Sequence, residues 1–364
     1  MLKRTSLFLV LALLIGILSG CTGTTVIYQV NCDCPTAAPA VETPAVKTEE
    51  PAAEEPSAEG ALKTGLYIGA DVSESASATA EAEGQAKYDV TIAAVTLDEN
   101  GVIVGCIVDS MPATVKFDAA GQITSDLSAA LKTKDEQGEA YGMKAYAGAK
   151  YEWNEQIDAL EQYAIGKTVE ELKTGAVNES GKAADADLAA TATIYIGGYV
   201  SAIEAAAANA QSLGAQAGDE LRLAVIASPS SSASATAEKA GTAQLDVDVT
   251  ALTLNGETIT SCIIDSVQAK VSFDTTGALT TDLTAPIKTK TELGEAYGMK
   301  AYAGATYEWN EQAASFAAYV TGKTAADVAG IAVNEKTAPT EADLASTVTI
   351  AVGGFQALIE KAAQ

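Results

Sequence analysis

The chain has 364 residues, with 48 acidic against 22 basic side chains, no histidine and a formal charge of −26. Without imidazole there is no Ser/His/Asp or Cys/His nucleophile pair, no histidine base and no nitrogen-ligated zinc or haem. So acidic a chain is also a poor partner for nucleic acid, because phosphate contacts need clustered Lys and Arg. Its length suggests two domains of about 150 residues each.

At the start of the chain, Lys3 and Arg4 precede an apolar run from Leu7 to Leu18, followed by Ser19-Gly20-Cys21. A basic end, a short apolar core and small residues before a cut predict a secretory signal over residues 1–20, too short for a membrane span of about 20 residues. With its terminal cysteine the stretch resembles the lipobox of bacterial lipoproteins. That resemblance implies acylation at Cys21 and a mature protein tethered by its acyl chains outside the cytoplasmic membrane. Loss of residues 1–20 would remove Lys3 and Arg4 and leave a charge of −28.

Residues 21–63 then read as a lipid-anchored, disordered stalk. Pro35, Pro39, Pro44, Pro51 and Pro56 fall here among Ala, Glu, Thr and Ser, a composition that cannot bury enough apolar surface to order itself. Cys32 and Cys34 at its start suit a small disulfide loop, a redox dithiol, a further acylation site or idle thiols. Five cysteines in a chain this long make no disulfide framework.

The rest of the chain repeats itself. Tyr141-Gly142-Met143-Lys144 recurs as Tyr297-Gly298-Met299-Lys300, and the same offset of 156 carries Cys106 onto Cys262, Trp153 onto Trp309 and Asp187 onto Asp343. Residues 131–156 and 287–312 are identical at 22 of 26 positions. Upstream the offset is 157, as Ser75–Glu81 matches Ser232–Glu238, so the first copy has one more residue between Leu97 and Cys106. A period this long is a domain duplication and not a solenoid unit, with copies at residues 64–212 and 217–364.

Within each copy, strand patterns come first. Val90, Ile92, Val95 and Leu97 lead to the loop Asp98-Glu99-Asn100-Gly101 and then to Val102–Val108, with Asn255-Gly256 at the matching turn, a hairpin signal. A further strand is expected at Ala113–Phe117, closed by Gly121. Helices follow. Trp153, Ile157, Leu160 and Ala164 share one helical face, Thr168 with Glu171 forms a capping box repeated by Thr324 and Asp327, and a last helix carries Tyr199 and Ile203, matched by Phe355 and Ile359. The predicted fold is α+β: two tandem copies of a small domain with an antiparallel sheet and segregated helices.

The best-preserved segment, Lys132 to Gln156, concentrates cations and aromatics. Lys132, Lys134 and Lys144 suit an anionic ligand, and Tyr141, Tyr146, Tyr151 and Trp153 suit a flat one; a plainer reading makes the rings helix core and the lysines surface. Glu152 and Glu155 sit three apart, a spacing that fits surface glutamates better than a catalytic acid and base. Gly166-Lys167-Thr168 lacks the upstream glycine of a phosphate loop and reads as a helix start.

Near the C-terminus, Asp343-Leu344-Ala345-Ser346-Thr347-Val348-Thr349 and the helix after it resemble the end of bacterial FMN-binding domains, where an Asp precedes Ser-Gly-Ala-Thr. In that family the last threonine accepts FMN in a phosphoester bond made by a separate flavin transferase. The resemblance therefore implies Thr349 as acceptor, and Thr193 in Asp187-Leu188-Ala189-Ala190-Thr191-Ala192-Thr193. Thr191 and Thr347 stand where the family has glycine. The plainer reading of each Thr-x-Thr triplet is a β-strand. The hairpins and the Tyr-Gly-Met-Lys to Trp segment are also similar to exported lipoproteins with tandem flavin domains. That implies Asp187, Thr193, Asp343 and Thr349 on the phosphate side, with Tyr141, Met143, Lys144, Trp153, Tyr297, Met299, Lys300 and Trp309 around the ring.

Three functions follow as expectations. The first is a tethered electron carrier holding FMN in both copies, served by a flavin transferase and a membrane electron donor. The second is a noncatalytic small-molecule-binding or surface-interaction lipoprotein without flavin. A hydrolase is the weakest, since no nucleophile with a base stands out.

Overall fold

A computed structural model describes residues 60–364, which lie within one compact unit. The signal segment, Cys21, Cys32, Cys34 and nearly all of the stalk lie outside the described residues. Among those described, no helix is long and apolar enough to cross a membrane.

The fold is α+β. The first repeat forms β1 (Lys63–Asp71), β2 (Gly84–Leu97) and β3 (Ile103–Phe117), then α1 (Lys134–Gln137), α2 (Met143–Ala147), α3 (Trp153–Ala164), α4 (Val169–Ala176), α5 (Ala186–Thr191) and α6 (Gly197–Ala208). The second forms β4 (Glu220–Ser228), β5 (Gly241–Asn255) and β6 (Thr258–Phe273), then α7 (Lys290–Leu293), α8 (Met299–Ala303), α9 (Trp309–Val320), α10 (Ala325–Ala329), α11 (Ala342–Ala345) and α12 (Gly353–Ala362). Each set of strands makes an antiparallel sheet, in the orders β1-β2-β3 and β4-β5-β6.

Two expectations change, and one strand lies where none was expected. The separate strand at Ala113–Phe117 is the continuation of β3, which runs unbroken through Pro112 opposite Asp89. Proline survives there because β3 is an edge strand and Pro112, which has no N–H to satisfy, faces the side without a ladder. β1 escapes the pattern because Gly65 and Gly69 interrupt its alternation. The Thr-x-Thr triplets are not strands: Thr191 closes α5, Ala192 caps it, and Thr193 lies in the link to α6. The capping boxes at Thr168/Glu171 and Thr324/Asp327 form as expected, with mutual side-chain to backbone bonds.

The alternation of the strands is read on both faces. In β2, Ala86, Tyr88, Val90, Ile92 and Ala94 point into a core shared with Leu245, Val247, Val249 and Val267 of the other sheet. Ala93, Val95 and Leu97 point the opposite way, onto Trp153, Ile157 and Leu160 of α3 and Ile203 of α6. The second repeat does the same with Leu252 and Leu254 against Trp309, Phe316 and Ile359. Two sheets therefore pack face to face with helices outside each, so both faces of each sheet are buried over part of their length.

Contacts across the sheet pair are reciprocal. Phe117 and Phe273, equivalent residues, stack with ring centroids 4.0 Å apart and planes within 3°. The Ala78 N–H donates to the Gly277 carbonyl at 2.8 Å, and the Ala235 N–H to the Gly121 carbonyl at 2.8 Å. Gly121 and Gly277 are left-handed (φ 66° and 68°), and a Cβ on either would come within 2.8 Å of an alanine Cβ of the opposite repeat. Only glycine satisfies both the turn and the approach.

Candidate functional site

In each repeat the best-preserved segment folds over the N-terminus of its main helix. Thr133 caps α1 and turns Lys134 inward, where its ammonium lies 5.7 Å from the Tyr141 ring centre and 5.6 Å from that of Trp153. The ammonium also pairs with Asp89 at 3.6 Å, and the Lys134 side chain is 8% exposed. Trp153 is buried, meets Tyr199 edge-on and donates its indole N–H to the Tyr199 hydroxyl at 3.0 Å. In the second repeat Lys290 lies 5.5 Å from the Tyr297 ring and 4.6 Å from that of Trp309, with Phe355 in place of Tyr199. Burial lowers the Lys290 pKa, while Asp248 and Asp246 act to raise it.

The glutamates beside the tryptophans are structural. Glu152 caps α3 and its carboxylate accepts the Met143 N–H at 2.7 Å and the Lys144 N–H at 3.1 Å. Glu155 accepts the Glu152 N–H at 2.6 Å and pairs with the Lys144 ammonium at 2.6 Å. Glu308 and Glu311 repeat this with Met299 and Lys300. Lys144 and Lys300 are thus held by carboxylates of their own segment.

One buried glutamine joins this segment to the threonine motif. Gln156 Oε1 accepts the Thr193 N–H at 2.8 Å, the Thr193 hydroxyl at 3.0 Å and the Ile194 N–H at 3.1 Å. Its amide NH₂ donates to the Tyr151 carbonyl at 3.1 Å and lies 3.8 Å from Met143 Sδ. Gln312 holds Thr349 and Ile350 in the same way, at 2.8, 3.1 and 3.2 Å. Gln156 is the last residue of the best-preserved segment, and its sequence position alone does not show this task. The available signal was a polar residue amid the apolar positions of α3, 37 residues before the threonine in both copies.

The structure brings Met143, Gln156 and Thr193 together, and their counterparts in the second repeat. Thr193 and Thr349 are exposed, as are Asp187 and Asp343. Asp187 lies in the first turn of α5, which is capped by Asp185. Among the described bonds neither its carboxylate nor that of Asp343 reaches the threonine. Trp153 and Trp309 are buried with a lysine over each ring, whereas Tyr146 and Tyr302 are 90% and 89% exposed. The open aromatic surface therefore belongs to those two tyrosines and to Tyr195, 69% exposed and two residues from Thr193.

No protein-family model and no solved structure matches the chain. A stretch of 42 residues is 52% identical to the chlorophenol reductase of Desulfitobacterium hafniense. It covers 12% of this chain and 13% of that protein, and a match of this length shows no family.

Proposed function

We propose that the protein is a lipid-anchored extracytoplasmic electron carrier with two FMN-binding-like repeats, Thr193 and Thr349 being the attachment points. The observation that supports this best is the glutamine bond repeated in both copies. An exposed threonine hydroxyl is held in one orientation, with its backbone N–H, against the best-preserved segment of the chain.

The residues present fit an attachment point. Among the described residues only Thr337 has a positive φ outside glycine, so Thr191 and Thr347, standing where the resembling family has glycine, occupy backbone that a β-branched residue adopts without strain. FMN, when bound, supplies reversible electron transfer. The chain contributes the hydroxyl, the Gln156 or Gln312 acceptor that orients it, and the exposed Tyr146 and Tyr302 rings as stacking surface. Two attachment points in one compact unit would let electrons pass between repeats.

The test is co-expression of the full chain with a flavin transferase, followed by intact mass and in-gel fluorescence. Two additions of FMN less water are expected, with T193A and T349A each removing one. No flavin mass on either threonine sinks the covalent reading. A second reading, a noncatalytic ligand-binding or surface lipoprotein, draws support from the lysines that cover Trp153 and Trp309. Protein that stays colourless and unresponsive to added FMN would favour it.

A further inference from the structure

The two repeats differ sharply at one matching place. In the first, β3 pairs only with β2, and the Val108 N–H on its outer edge donates to Glu161 Oε1 of α3 at 2.7 Å. Burial first, then repulsion from Asp158, Asp135 and Asp109, pushes the Glu161 carboxyl up to about 8 against the lowering effect of the Val108 N–H bond. The side chain thus delivers a carboxyl group on a short apolar stem to a strand edge.

In the second repeat the receptor remains and the side chain is gone. Ile264 takes the place of Val108 at the edge of β6, while Ala317 replaces Glu161, Ala314 replaces Asp158 and Thr291 replaces Asp135. Among the described residues no side chain or loop carbonyl bonds the Ile264 N–H. A cleft of about 250 Å³ opens here, walled by Cys262, Ile264, Ala314, Ala317, Leu213 and Thr321. Asn310, also in its wall, keeps its side-chain oxygen buried and unpartnered, as Asn154 does in the first repeat. In the first repeat the nearby cleft of about 780 Å³ includes Cys106 and Ile107 but not Val108, whose N–H Glu161 covers.

We infer that the cleft of the second repeat binds a small monocarboxylic acid with a short apolar tail, its carboxyl occupying the position that the Glu161 carboxyl occupies in the first. A backbone donor at a strand edge needs an acceptor. The alanine and isoleucine walls suit an alkyl chain and not a second charge. Asp158, Asp135 and Glu161 are absent from this copy while Asp265 keeps the place of Asp109, so an incoming carboxylate meets fewer acidic groups than it would in the first. The site is independent of the flavin reading, since neither Thr349 nor Gln312 lines it.

The test is titration of isotope-labelled full chain with butyrate, following the Ile264 amide resonance. A saturable shift at Ile264 without one at Val108 is expected, and A317E, which restores the internal carboxyl, should weaken the apparent affinity at least about tenfold, roughly 1.4 kcal/mol. A314L, which fills the cleft without adding charge, should weaken it likewise and guards against misfolding of the glutamate variant. No saturable shift at Ile264, or a shift undiminished in both variants, would overturn the inference.

Discussion

Gln156 and Thr193, 37 residues apart, are joined twice: one side-chain oxygen accepts both the backbone N–H and the hydroxyl of the threonine, at 2.8 and 3.0 Å. The same oxygen accepts the Ile194 N–H, so Q156A would leave two backbone donors and a hydroxyl without their partner. The expected cost is about 1–3 kcal/mol, with faster amide exchange at Thr193 and Ile194. Denaturant unfolding and native-state exchange measure both. Unchanged exchange at those two amides would refute the role assigned to Gln156.

The stack of Phe117 on Phe273 lies in a core that draws on both sheets. F117A should therefore cost about 3–5 kcal/mol, as for a large ring deleted from a packed interior. The whole folded part should lose stability in one transition. Calorimetry resolving two transitions, with only the first repeat destabilised, would contradict a shared core.

The Glu161 carboxyl is raised from 4.5 to about 8 by burial first, then by its acidic neighbours. Its native pKa lies above its unfolded value, so the folded state binds the extra proton between those two limits. The associated stability is full below about pH 4.5 and is lost as pH rises through about 8. Asp109, raised from 3.8 to about 6 mainly by burial, adds a smaller loss in the same sense at lower pH. E161Q should flatten the fall and leave the protein about 2–4 kcal/mol more stable than the parent above pH 8. Urea midpoints at pH 5 and pH 9 give the comparison; equal slopes in parent and variant would exclude the effect.

Cys106 and Cys262 are buried, and burial pushes both thiols up, Cys262 to about 12. Since the thiolate is the reactive form, neither should react with a thiol reagent at pH 8 until the protein unfolds. Peptide mass mapping after labelling, with and without denaturant, identifies the cysteines modified. Labelling of Cys106 or Cys262 in the native protein would show that the core opens there.

Local chain chemistry made much of this molecule legible in advance. The hairpin at Asn255-Gly256, the capping boxes at Thr168 and Thr324 and the apolar face of α3 depend on residues within a few positions of one another. The internal repeat is visible by comparing the two halves of the sequence. The continuity of β3 through Pro112 was not legible, because proline is tolerated in a strand only where that strand is an edge, and edges are set by the sheet.

From the sequence alone come the two repeats, the α+β class, the helices with their caps and the residues that deserve scrutiny. Only the tertiary structure decided that the two sheets meet face to face, that Lys134 covers the rings of Tyr141 and Trp153, that Gln156 holds Thr193, and that a cleft reaches Ile264 where Ala317 stands in place of Glu161. Each of these depends on which surfaces meet across long stretches of chain. Hydrophobic periodicity says that a face is buried; it does not say against what.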